Sequence, residues 1–114
     1  MSVGTATEGR RLADALVREK WAACVTIVPG VRSIYAWKGK VERAQEHLLL
    51  AKTRRALLPR LMARVRSLHS YDIPEVLVLP VVGGNRAYLS WLNRETKAKT
   101  PRKNPTPHQK KASL

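Results

Sequence analysis

The stretch from Ala22 to Thr53, "AACVTIVPGVRSIYAWKGKVERAQEHLLLAKT", restricts what this chain can fold into more than any other. It reads as a strand, a tight turn at Lys38-Gly39-Lys40 and a returning strand. Past a break at Pro29-Gly30, where proline removes a ladder donor and a bulge is expected, Val31, Ser33, Tyr35 and Trp37 alternate with Arg32, Ile34, Ala36 and Lys38. In the returning arm "HLLLA" (residues 47–51) reads as covered on both faces. Arms of about 13 residues at ~3.3 Å each reach roughly 43 Å, whereas a domain of this length has a radius of gyration of only ~13 Å. The hairpin must therefore overhang its own core. An overhanging arm with Tyr35, Trp37 and Leu48–Leu50 leaves unpaired edges and apolar surface. Pairing with further copies of the chain would cover both, so a homo-oligomer is expected, with Tyr35 and Trp37 at the interface.

The remaining segments supply a helical layer. "TATEGRRLADALVREKW" predicts a helix, with Thr5 and Glu8 at capping-box spacing and Leu12/Leu16 and Ala13/Val17 sharing a face. "RRALLPRLMARVRSLH" predicts a second, its stripe being Leu57, Leu58, Leu61, Met62, Val65 and Leu68, with Pro59 in the first turn. "YDIPEVLVLPVV" predicts a proline-containing loop and then a buried strand from Val76 to Val82. "NRAYLSWLNRE" predicts a short C-terminal helix capped by Asn85. The order predicts an α+β fold with helices on one face of an antiparallel sheet. A split βαββαβ arrangement needs a strand before the first helix, and only Met1–Gly4 precede it. That strand is expected to be missing, with the true start lying upstream or another segment filling the gap.

The chain has 114 residues and a net charge of +14. Residues 1–96 are read as one domain. Residues 97–114, "KAKTPRKNPTPHQKKASL", have six Lys/Arg, three prolines and no acidic residue, and are read as a disordered basic tail. The charge suggests a nucleic-acid or acidic-partner adaptor as one reading, with contact through the tail. Cys24 is the single cysteine, which excludes an internal disulfide and favours a reducing compartment. No apolar run is long enough to span a bilayer and no signal-peptide pattern opens the chain, so a cytoplasmic protein is expected. The chain is not read as an enzyme: it has no serine-triad context, no phosphate loop ahead of a helix and no Cys-x-x-Cys pair.

Several short motifs occur together in one order: Ala22-Ala23-Cys24-Val25, Pro29-Gly30-Val31 with Ser33-Ile34-Tyr35, Trp37-x-Gly39-Lys40, Lys52-Thr53, His69-x-Tyr71-x-x-Pro74-Glu75, Gly84-Asn85 and Tyr88-Leu89-x-Trp91-Leu92. From about Leu12 to Leu92 the chain thereby resembles the CutA family of divalent-cation tolerance proteins. The resemblance implies a ferredoxin-like subunit in a tight homotrimer whose hairpins pair between subunits, a fold also similar to PII signalling proteins, and a link to copper and other divalent metals. The sequence departs from the family pattern in lacking a first strand with its cysteine. Leu68 stands at the first of two adjacent histidine positions, and Ser70 replaces a common proline. A copper site is then at most partial.

The candidate site follows. His69 offers a neutral imidazole to a borderline metal, and Glu75 a carboxylate oxygen. Against this, His69 fits equally as the C-terminal cap of the second helix, and one His with one Glu falls short of the three or four ligands of a zinc site unless copies share ligands. Tyr71, Lys52, Glu46 and Trp91 are placed around the same cleft, with a Glu46–Lys52 salt bridge as the plainer alternative. Cys24, between alanine and valine, reads as a buried structural thiol. A trimeric scaffold without a small ligand is a further reading.

Overall fold

A computed structural model describes residues 1–97 of the chain. The element order is β1 (Ser2–Val3), α1 (Ala6–Arg18), β2 (Cys24–Trp37), β3 (Lys40–Lys52), a 3-10 turn (Arg55–Leu57), α2 (Leu58–Leu68) and α3 (Arg86–Arg94). The sheet is antiparallel with order β1-β3-β2.

The hairpin forms as its turn chemistry demands. Trp37 pairs with Lys40, and Lys38 and Gly39 both take positive φ, 52° and 79°. That is the geometry of a two-residue turn whose twist matches the strands. The register shifts between Val28 and Val31, where Pro29 cannot donate to the ladder. At the base of the hairpin, α1 lays Leu12 and Leu16 over the sheet, and α2 lays Leu61 and Val65 beside them, around Leu49 and Val3. Each such side chain contributes about 1.5–3 kcal/mol when fully buried. Gly9 permits the close approach of α1: a Cβ there would lie 3.2 Å from Val3 Cγ2. The far half of the hairpin has no such cover, Ile34 being 67% and Val41 64% exposed. The molecule accordingly measures 53 × 29 × 25 Å, with a radius of gyration of 16.0 Å, so the overhang inferred from arm length is present.

Helix starts follow their local chemistry. Thr5 Oγ1 accepts from the Glu8 amide at 3.1 Å, Pro59 sits in the first turn of α2, and Asn85 Oδ1 accepts from the amides of Ala87 and Tyr88. Two expectations need correction. The first-strand position is not empty: Ser2 pairs with Leu48 and Val3 with His47. And no strand forms from Val76 to Val82. That stretch has neither helix nor strand structure, and Leu79 and Val82 are 81% and 100% exposed rather than buried. Its β-branched composition favours a strand, but a strand exists only with a neighbour, and β1 offers two residues. The basic tail expected at 97–114 lies, beyond Lys97, outside the described residues.

Candidate functional site

The densest polar cluster is built where the end of α2 meets the start of α1 and the middle of β3. His69, the residue after α2, is buried. Its Nε2 lies 2.8 Å from the Ser2 carbonyl, and its Nδ1 accepts from the Tyr71 amide at 3.0 Å. The carbonyl can only accept and the amide can only donate, so these partners select the neutral Nε2–H tautomer. Glu8 lies alongside, its Oε2 3.6 Å from Nδ1. It accepts from the Ser70 amide at 2.8 Å and from Ser70 Oγ at 3.0 Å. Burial pushes the Glu8 carboxyl upward, but the two bonds from Ser70 outweigh it and hold the group below its ordinary 4.5. Tyr71 Oη donates to Glu46 Oε2 at 2.8 Å. Burial, then the Glu46 bond, push the phenol up to about 12. The Tyr71 ring tilts against His69 with centroids 4.8 Å apart.

The structure thus brings His69, Tyr71 and Glu46 together and adds Glu8 and Ser70, which the sequence reading did not place there. Glu8 was assigned to the capping box. Thr5 does perform its half of that box, but the Glu8 carboxylate is spent on Ser70, far along the chain. Glu75 is exposed, close enough to the Met1 amine to raise its pKa, against a stronger lowering by burial. Lys52 does not bridge to Glu46. Its ammonium donates to Thr26 Oγ1 and lies 3.8 Å from Cys24 Sγ, across the β2–β3 pair rather than along β3. Cys24 is correspondingly half-buried, not sealed in the core. Trp91 stacks against Tyr88 at 5.5 Å on α3. Tyr35 and Trp37 are exposed on the overhanging arm.

The described residues of one copy do not gather a metal-binding cluster. Both nitrogens of His69 are committed to backbone groups, and among the described residues no three His, Cys, Asp or Glu gather in a way that could hold an ion.

The family model for CutA1 divalent ion tolerance protein matches residues 1–95. The chain belongs to the CutA1 family. It is similar to the divalent-cation tolerance protein CutA of Thermus thermophilus, 53% identical over 87 residues that cover 76% of this chain and 84% of that one. It is also similar to the chloroplastic protein CutA 1 of rice, 52% identical over 89 residues covering 78% of this chain. The chain spans only 50% of the rice protein's length. The solved Thermus thermophilus CutA1 superposes with a TM-score of 0.83 at 49% identity, covering 84% of this chain and 93% of that one. The α+β architecture and the three antiparallel strands are therefore those of CutA1 proteins. Among the described residues no helix is long and apolar enough to cross a membrane.

Proposed function

We propose that this chain serves divalent-cation tolerance, the role its relatives are named for, as a non-enzymatic homotrimer whose long hairpins pair between copies. Cations are then met at the clefts between copies rather than inside one. The observation that carries the reading is the unsheltered half of the hairpin, with Ile34, Tyr35, Trp37 and Val41 all exposed. A single copy gains nothing by holding these side chains in water, whereas a neighbour's ladder and side chains would cover them. Each subunit completes a ferredoxin-like sheet once Val76–Val82 acquires a strand neighbour. Glu75, exposed on the loop beside the polar cluster, is the carboxylate offered to copper or another divalent cation. His69 joins it only if its bonds to Ser2 and Tyr71 open. The lone cysteine supports a reducing, cytoplasmic setting for this chain, although the rice relative is named chloroplastic.

Sedimentation of the full chain combined with copper titration tests this. Three copies and a binding heat weakened in Glu75→Gln are expected. A compact single subunit at micromolar concentration would remove the clefts and the role with them. A trimer with no binding heat would leave a scaffold without a cation.

A further inference from the structure

Between them, residues 5–21 and 53–68, the helical layer and its joints, hold nine Lys/Arg and three acidic residues. All three acids are engaged within the fold. Glu8 is buried against Ser70, Asp14 pairs with Arg18 at 2.6 Å, and Glu19 is gripped by Arg64 at 2.7 and 2.8 Å. Further cations gather at one corner, around Trp21, where Lys20 is paired with Glu95 at 4.0 Å. Lys97 Nζ lies 4.0 Å above the indole and Arg60 Cζ 5.9 Å from it. Arg54, half-buried, donates its Nε to Thr96 Oγ1 rather than to a carboxylate. Arg55 and Arg60 are exposed with no acidic partner within salt-bridge distance among the described residues. The Lys97 amide donates to the Lys20 carbonyl at 2.8 Å, which pins this end of the described chain to the same corner. Residues 98–114, with five further Lys/Arg and no acid, continue from there.

We propose that this corner, Arg54, Arg60 and Lys97 around Trp21 with Arg55 next to Arg54 in the chain, is a binding surface for the phosphate backbone of nucleic acid. Eight of the nine cations of the helical layer are arginine, whose planar fork matches phosphate oxygens in pairs. A membrane surface fits less well. Val17 is the one large apolar side chain exposed on the described part of this layer, too little to insert among acyl chains. Trp21 is already covered by Lys97, so no open aromatic platform reads bases, and recognition is of backbone charge without sequence preference.

The test is fluorescence anisotropy of the full chain with a labelled duplex of about 20 base pairs, titrated with salt from about 50 mM upward. Binding is expected to weaken with a log–log slope of roughly −3 or steeper, at about −0.9 per neutralised phosphate. The exposed-residue variant Arg55→Gln/Arg60→Gln/Lys97→Gln should lose about tenfold or more in affinity and flatten the slope by about 2 to 3. Lys38→Gln/Lys40→Gln at the hairpin tip should leave both unchanged. Circular dichroism confirms that each variant is folded. Four results would overturn the proposal: no binding at low salt; an equal loss from the hairpin-tip pair; unchanged binding in the triple variant with loss on removing residues 98–114; or binding to vesicles of anionic lipid but not to the duplex.

Discussion

A short loop separates two stretches that meet opposite fates. His69, Ser70 and Tyr71 are polar and all three find partners within the protein, His69 being buried while Ser70 and Tyr71 stay exposed. Val76–Val82 is almost entirely apolar, yet most of it faces water. The usual sorting of residues by polarity is inverted at His69 and at Val76–Val82, and the reason is the supply of partners. The polar stretch meets a carbonyl from Ser2 and carboxylates from Glu8 and Glu46, each at hydrogen-bonding distance. The apolar stretch needs a strand beside it, and β1 supplies two residues, both paired to β3. Burial in this fold follows available geometry, and hydrophobicity alone does not produce it.

The strongest way to break that comparison is His69→Ala. The change leaves the Ser2 carbonyl and Tyr71 amide without partners in a buried place and opens a cavity beneath them. A loss of about 3–4 kcal/mol is expected, each buried unsatisfied group costing about 1–3 kcal/mol, measured by urea unfolding. A loss below about 1 kcal/mol would show that the stretch is not anchored as described. Glu8→Gln comes next. Glu8 is held below its ordinary 4.5 when folded, so its contribution is complete above that value and disappears as pH falls through the lowered one. The variant should be about 1–3 kcal/mol less stable at neutral pH, and its stability should fall less steeply on acidification than that of the unaltered chain. Parallel acid limbs would remove Glu8 from the cluster.

What the sequence made legible follows the same division. Features set by neighbours in the chain were readable: the Thr5 and Asn85 caps, Pro59 in the first turn of α2, the turn at Gly39, the bulge at Pro29. The overhang was readable too, because arm length is arithmetic. Features set by distant partners were not. Glu8 carries a sound local assignment as a capping-box residue, and nothing near it points to Ser70. Glu46 and Lys52 share a strand face, so a bridge along β3 was reasonable, but Tyr71 and Thr26 reach them first. Val76–Val82 has the composition of a strand, and composition cannot reveal whether another strand lies next to it. His69 looked like a ligand because its type suits a metal, while the two backbone groups that occupy it leave no mark on residue identity.

Tyr71→Phe sharpens the comparison with a smaller effect. Only the hydroxyl bond to Glu46 is removed, and the ring stays against His69. A loss of about 1–2 kcal/mol is expected, because Glu46 is left buried without its donor. The Tyr71 phenol is pushed up to about 12, so its bond stabilises fully below the ordinary 10 and is lost as pH rises through the higher value. Followed by phenolate absorbance, one of the three tyrosines should titrate late, and that late step should be absent from the variant. A late step that persists would belong to Tyr35 or Tyr88.

Leu79→Ser should do least of all within one copy. With 81% of its surface already in water, Leu79 has little burial to lose, and a change within about 0.5 kcal/mol is expected at dilutions where copies separate. The informative part is the concentration dependence. If other copies cover Val76–Val82, the same substitution should cost about 1–2 kcal/mol once copies assemble, the burial of most of a leucine side chain, and unfolding midpoints of variant and parent should diverge as concentration rises. Midpoints that stay together across the range would mean that the stretch remains open to water in the assembly too. The inversion would then be a permanent feature of the protein, and the covering of apolar surface by further copies would be confined to the hairpin. A large loss already present at high dilution would mean instead that the stretch folds against its own chain in solution, which removes the contrast with His69–Tyr71 altogether.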